Sequence, residues 1–166
     1  MKRKLKIKDL VPRKNSPYQQ GYYKLLNPLK YIGDPTKIIF RSSYERRFAI
    51  YCDTHERILS WSSEPLEIPY LNPVDGIVKP YNVDFYVKVN TGDEKPKEYI
   101  VEVKPLRQLK QPISPIGRLT EKRMTSYTNQ MKQYLINVAK FTAAKNFAAS
   151  RNWEFIVVTE NMLFGS

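Results

Sequence analysis

Asp84, Glu102 and Lys104, two carboxylates and a lysine, occupy positions that a β-hairpin would turn to one face. Val83, Phe85, Val87 and Val89 alternate with Asp84, Tyr86 and Lys88, and Tyr99, Val101 and Val103 alternate with Ile100, Glu102 and Lys104. Period-two alternation marks strands with two unlike faces. Between the runs lies Asn90-Thr91-Gly92-Asp93-Glu94-Lys95-Pro96, a polar turn, so the strands pair antiparallel. With Lys88 opposite Glu98, Asp84 stands opposite Glu102. A slip of two residues puts Asp84 opposite Lys104 and keeps all three on one face. A slip of one would split them, but it would also turn an apolar row outward.

Two like charges side by side in a sheet repel, and a cation between them removes the repulsion. Carboxylate oxygens suit a hard ion such as Mg²⁺, which takes few carboxylates, several waters and a phosphate. Such an ion polarises a phosphodiester, activates a water and steadies the leaving oxygen. Lys104 could position that water or stabilise charge on the phosphate. The same residue types also describe the solvated side of an amphipathic sheet. Strongly apolar flanks, a well-defined strand pair and a preceding helix with its own acid favour the reactive reading.

That acid is Glu45. Ser42 or Ser43 starts a helix running to about Ile58, with Tyr44, Phe48, Tyr51, Cys52 and Leu59 marking its buried side. Ser42-x-x-Glu45 is also a capping box, worth about 1 kcal/mol without any chemistry, so cap and metal role both stand. Arg46 and Arg47 add charge nearby. Cys52 reads as a packed core thiol. His55, late in the same helix, is a weak candidate for chemistry.

Net charge is +12 over 166 residues, with 42% hydrophobic and 13% aromatic content. A folded chain with one domain-sized core and an anionic partner, foremost nucleic acid, is expected. No apolar run is long enough to span a membrane. The basic N-terminus lacks the apolar stretch of a secretory signal. Cys52 is the lone cysteine, which excludes an intrachain disulfide or cysteine-based zinc site and fits a reducing, intracellular setting.

In chain order, residues 1–32 read as a basic arm with interleaved tyrosines. Lys2, Arg3, Lys4, Lys6, Lys8, Arg13 and Lys14 precede Tyr18, Tyr22 and Tyr23. Such an arm could cover phosphates and stack on bases, or dock on a protein ring. Gly33-Asp34-Pro35 turns into the domain, residues 33–166. Leu66, Ile68 and Tyr70 suggest an edge strand among prolines, and Asn72 to Gly76 a turn. Pro105 to Leu119, carrying Arg107, Lys110 and Arg118, follows Lys104 directly; it is either a DNA-contacting loop or only a crossover. Thr120-Glu121 opens a long helix to about Ser150. Met124, Tyr127, Met131, Tyr134, Leu135, Val138 and Phe141 form its expected core stripe, with Asn137, Lys140, Ala144 and Lys145 at the edge. Phe155 to Val158 reads as a fully buried strand, and strand–helix–strand implies a parallel crossover.

Helix, three antiparallel strands, helix, strand is an α/β order with a mixed sheet flanked by helices. It resembles the core of the PD-(D/E)xK metal-dependent nucleases, the restriction-endonuclease-like fold. Arg41-Ser42-Ser43-Tyr44-Glu45, Trp61-Ser62-Ser63-Glu64, Val83-Asp84-Phe85-Tyr86-Val87 and Glu102-Val103-Lys104-Pro105 resemble the head completion nucleases of tailed phages. So do Ala143-Ala144-Lys145 and Trp153-Glu154-Phe155. TnsA-like transposase endonuclease subunits share the order more loosely. Over residues 33–160 the resemblance implies that Asp84, Glu102 and the Val103 carbonyl hold Mg²⁺ or Mn²⁺. Glu45 would be the helix acid and a further candidate ligand, and Lys104 the catalytic lysine. Val83 departs from the proline that commonly precedes the aspartate. The implied activity is metal-dependent cleavage of double-stranded DNA, endo- or exonucleolytic, trimming packaged DNA before head and tail join. That places the protein in the host cytoplasm during phage assembly, with head, portal or neck proteins as candidate partners. Lys2, Arg3, Lys4, Arg41, Arg46, Arg107, Lys110 and Arg118 are the candidate DNA contacts. A non-catalytic DNA-binding joining protein on the same fold is the alternative, and a transposase-type endonuclease subunit another.

Overall fold

Ser42 is extended and its Oγ accepts the Glu45 amide at 3.1 Å, which starts helix α1, Ser43–Thr54. The structure, a computed structural model, describes residues 20–164. Strands β1 (Gly21–Tyr22) and β2 (Ile39–Phe40) precede α1, and β3 (Ile58–Ser63), β4 (Glu67–Leu71), β5 (Val78–Asn82), β6 (Phe85–Val89) and β7 (Lys97–Val103) follow it. Helix α2 (Glu121–Ala149), strand β8 (Glu154–Val158) and helix α3 (Glu160–Phe164) complete the order. The main sheet runs β3-β6-β7-β8, antiparallel except for β7 and β8, which are parallel and joined through α2. This is the mixed α/β architecture expected of a restriction-endonuclease-like core.

Each face of the sheet is covered by one helix, which fixes where each strand residue goes. On the α1 side, Phe48, Cys52, Trp61, Phe85, Val101 and Val158 pack together. On the α2 side, Tyr70, Tyr81, Val83, Ile100, Ala144 and Ala148 do so. Val83 therefore leaves the row of Phe85 and Val87, because the chain bends between β5 and β6. The β4–β5 pair forms its own hairpin beside the sheet. Pro69 faces Pro80, three steps along the hairpin from the bonded pair closed by the Asn72 amide on the Ile77 carbonyl. Pairs alternate between bonded and non-bonded, so both prolines sit where no N–H is required.

Several sequence expectations are corrected. α1 stops at Thr54 rather than near Ile58, because Ile58 begins the strand that pairs with β6. The strand expected among the prolines is present as β4, but the first strand of the main sheet is β3, Ile58–Ser63, a strand absent from the sequence expectations. A register shift between Ile58 and Ser60 breaks its alternation and hides it from a periodicity reading. β8 is an edge strand whose Phe155, Ile156 and Val157 are only half-buried. None of the stripe predicted as the core of α2 is buried: Met124, Leu135 and Val138 are exposed at 39%, 43% and 44%, and Tyr127, Met131, Tyr134 and Phe141 are half-buried. Asn137, Ala144 and Ala148 are its buried residues instead. A helix of this length spans about 43 Å at 1.5 Å per residue, whereas the strands span roughly 17–23 Å. The first half of α2 thus runs past the sheet it packs on.

Residues 1–19, with Lys2, Arg3 and Lys4, lie outside the described residues. From Gly21 the chain expected as an arm packs onto the domain: β1 pairs with β2, and Tyr23 joins the α1-side core. A Cβ at Gly21 would stand 2.9 Å from the Phe40 ring, so a larger residue there would have to displace that ring. Among the described residues no helix is long and apolar enough to cross a membrane.

Candidate active site

The hairpin adopts the register with Lys88 opposite Glu98 and Phe85 opposite Val101, which sets Asp84 one step beyond, facing Glu102. Asp84 Oδ2 accepts the Val103 amide at 2.8 Å, and the Asp84 carbonyl accepts the Glu64 amide at 2.8 Å. Glu102 is buried, at 4% exposure. Its Oε2 accepts the Tyr81 hydroxyl at 2.6 Å and its Oε1 lies 3.1 Å from Lys104 Nζ. The Lys104 amide donates to the Val158 carbonyl at 3.0 Å, so β8 holds the lysine's backbone just past the end of β7. Asp84, Glu102 and Lys104 are thus brought together.

Glu45 arrives from α1. Its Oε1 accepts Ser42 Oγ at 3.0 Å and its Oε2 accepts the Arg41 amide at 2.8 Å. Both oxygens serve the helix cap, while the carboxylate also acts on Asp84 and Lys104 through its charge. Burial raises the Glu45 pKa, against the opposing pull of the Arg41 and Ser42 hydrogen bonds. Asp84 is pushed well above the usual carboxylate range, first by burial and then by Glu102 and Glu45. Burial disfavours the Lys104 cation, but Glu102 and Asp84 outweigh it and hold the lysine's pKa up. The site has more negative charge than its nearest cation balances. An open cavity of about 630 Å³ reaches it, lined by Arg41, Ser42, Glu45, Val103, Lys104 and Arg107.

Three participants were not among the residues predicted for the site. Glu64 sits at φ 46°, a left-handed conformation, linking Asp84 by its amide to Arg41 by its carboxylate, at 2.8 Å. Tyr81 precedes the bend and steadies Glu102. Lys140, read as an edge residue of α2, lies 5.3 Å from the Tyr81 ring centroid and 5.6 Å from that of Tyr70. Burial and then Lys104 lower its pKa, partly offset by Glu102 and Asp84. Its signal in the sequence was a lysine one turn from Asn137 and Ala144, the buried positions of the helix. Nothing in strand periodicity marked Tyr81.

The remaining candidates fall at varied distances from this centre. Arg41 is engaged with Glu64, and Arg46 lies 5.9 Å from the Phe40 ring centroid. Arg107 and Lys110 line a second cavity of about 700 Å³ that also includes Lys104, Gln130 and Tyr134. The Arg118 carbonyl is held by Arg123. Cys52 is fully buried and burial drives its thiol pKa up, as a core role requires. His55 caps the end of α1 and its Nδ1 accepts the Arg57 amide at 3.2 Å. Among the described residues, no three His, Cys, Asp or Glu side chains gather as a metal-ligand group.

Tyr81→Phe tests the hold on Glu102. Groups that orient a metal-site carboxylate change affinity or activity by about 10–100-fold when removed. If Glu102 is the metal ligand that the resemblance implies, cleavage by Tyr81→Phe should fall by about that factor, and the lost hydrogen bond to a buried carboxylate should cost about 1.5–3 kcal/mol of stability. Unchanged cleavage across a titration of Mg²⁺ would show that the 2.6 Å bond does not matter to the reaction.

A family described as TnsA-like endonuclease N terminal matches residues 55–160, the span from the end of α1 to the start of α3. The chain is also similar to the head completion nuclease of Enterobacteria phage T4, 32% identical over 137 residues, which cover 82% of this chain and 88% of that relative. With the mixed sheet, the helix order and the Asp84–Glu102–Lys104 cluster at its end, the chain belongs to the TnsA-like endonuclease family and is a homologue of phage head completion nuclease.

Proposed function

We propose that this protein is a divalent-metal-dependent deoxyribonuclease that cuts or trims packaged phage DNA during head completion, before the tail joins. The observation that carries it is the meeting of Asp84 and Glu102 with Lys104, which together with Glu45 and Val103 lines an open cavity. The donor set suits a hard cation. Asp84, Glu102 and the Val103 carbonyl would hold Mg²⁺ or Mn²⁺, leaving other positions to water and a substrate phosphate. The crowding that raises the Asp84 pKa is what a cation relieves. When bound, the ion supplies Lewis-acid polarisation of the phosphate and a more acidic water.

The chain's own groups do the rest. Tyr81 keeps Glu102 pointed at the site, and Glu45 both caps α1 and adds negative charge beside Asp84. Lys104 carries the positive charge that would face the phosphate and the attacking water. Arg41, Arg46, Arg107, Lys110 and Arg118 are the proposed backbone contacts, which hold DNA without strong sequence choice. Residues 1–32 are proposed to add further phosphate contacts, through Lys2, Arg3 and Lys4.

Incubation with supercoiled and linear DNA in Mg²⁺, Mn²⁺ or EDTA tests the reading. Cutting is expected with either metal, none in EDTA, and none by Lys104→Ala. Persistent cutting in EDTA would remove the metal from the mechanism. Tight DNA binding without cutting under any condition would favour a joining protein that binds DNA without cleaving it.

A further inference from the structure

The segment from Pro105 to Thr120 leaves the site directly after Lys104, and its shape is specific. Pro112 and Pro115 are half-buried, whereas Ile113 and Ile116 are each 85% exposed and Leu119 is 57% exposed. The prolines turn inward and the isoleucines outward. Both ends of the segment are tied down. The Leu106 amide donates to Glu160 Oε2 at 2.7 Å. Arg123 donates from Nη1 to the Arg118 carbonyl at 2.8 Å and from Nη2 to the Ile116 carbonyl at 3.1 Å. Gly117, at φ +86°, makes the turn between those two carbonyls. Two prolines restrict the backbone further, so little freedom is lost when the loop meets a partner. Pro112 shares the 700 Å³ cavity with Lys104, which places the loop at the rim of the site.

Single exposed apolar residues are ordinary. Two isoleucines presented on a braced, proline-held turn are less so. Their charge setting identifies the partner. Arg107, Lys110, Arg118, Lys122 and Arg123 lie within the loop and the first turn of α2, against Glu121 alone. Apolar side chains among cations fit a polyanion with an apolar interior, which is duplex DNA. Proteins that insert isoleucine or leucine between base steps unstack and bend the duplex while cations hold the phosphates.

We propose that Ile113 and Ile116 are a wedge that enters the base stack of duplex DNA beside Lys104 and opens the step where the strand is cut. This rests on the DNA-cleaving reading and adds how the substrate is presented. Flexible, mismatched or terminal steps unstack most easily. The wedge therefore gives preference for such steps without any base-specific hydrogen bond.

The experiment uses the full chain carrying Asp84→Asn, in EDTA, with duplexes that contain 2-aminopurine at one step. On binding, 2-aminopurine fluorescence should rise as the step opens. Adding Ile113→Ser and Ile116→Ser should weaken binding about 10-fold, comparable to the loss of one or two stacking contacts, and abolish the rise. The salt dependence should stay the same, because no phosphate contact is removed. Lys110→Ala and Arg118→Ala should instead lower the salt slope by about one each and keep the rise. If the serine variant binds and brightens like its parent, the wedge is overturned and the isoleucines belong to a protein surface. If the parent itself binds no DNA, the DNA-cleaving reading fails, and the wedge with it.

Discussion

Asp84→Asn should cut DNA at least about a thousand-fold more slowly than the parent and melt no lower. Loss of one transition-state hydrogen-bond donor typically costs 10²–10³ in rate, and a carboxylate that holds a metal ion, the role proposed for Asp84, contributes more than that through the ion. Stability should move the other way. The charges of Glu102 and Glu45 both act on Asp84, and the hydrogen bond that the structure gives its side chain is from the Val103 amide. Asparagine keeps an oxygen for that amide and removes the like-charge repulsion. A group held in a costly environment for function is where stabilising substitutions cost activity. Single-turnover cleavage of supercoiled DNA and a thermal melt, run side by side, decide it. Cleavage within tenfold of the parent would place the reaction elsewhere. A large fall in melting temperature would mean that Asp84 is structural.

Asp53→Ala should destabilise the protein by about 3–5 kcal/mol. Asp53 has 0% exposure near the C-terminal end of α1, where the helix dipole does not favour an acid. It is held there by its partners. Oδ2 accepts the Tyr23 hydroxyl at 2.9 Å and the Leu26 amide at 2.7 Å, and Oδ1 accepts the Asn27 amide at 2.9 Å. The Asp53 carbonyl accepts Asn27 Nδ2 at 2.8 Å. Hydrogen bonds to a charged group contribute about 1.5–3 kcal/mol each, and donors left unpaired in the interior cost a similar amount. The Leu26 and Asn27 amides are less deeply placed than Tyr23, which sets the estimate below the simple sum. For a domain of this size that is roughly 6–20 °C in melting temperature. Urea unfolding measures the loss, and hydrogen exchange should show residues 21–31 opening first. A change under about 1 kcal/mol would mean that water replaces the carboxylate, and that the segment is held by Tyr23 packing on Trp61 instead.

The basic, tyrosine-rich start of the sequence looks like an independent arm, because nothing local marks Asp53 as its receptor. Tyr23 and Asp53 are thirty positions apart, and only the packed chain makes their bond. The same applies to β3. Its register shift removes the alternation that made β6 and β7 evident. The incompletely covered stripe of α2 has the opposite cause. Helical periodicity shows which face is apolar, but not how far the sheet beneath it extends.

The sequence by itself determined the elements whose information is local. The polar turn and two alternating runs limited the hairpin to two registers, both of which put Asp84, Glu102 and Lys104 on one face, and the structure has the one with Lys88 opposite Glu98. Ser42 and Thr120 marked the starts of α1 and α2, since a cap requires only the next three residues. The strand–helix–strand order implied the parallel β7–β8 pair. Tertiary structure alone decided what depends on elements far apart in the chain. It brought Glu45 from α1 to bear on Asp84, set Tyr81 against Glu102, and laid Lys140 over Tyr81. These are electrostatic and hydrogen-bond relations across the two faces of one sheet. A periodicity of two or 3.6 residues tells which way a side chain turns, but what it meets there is settled only when the helices close over the strands.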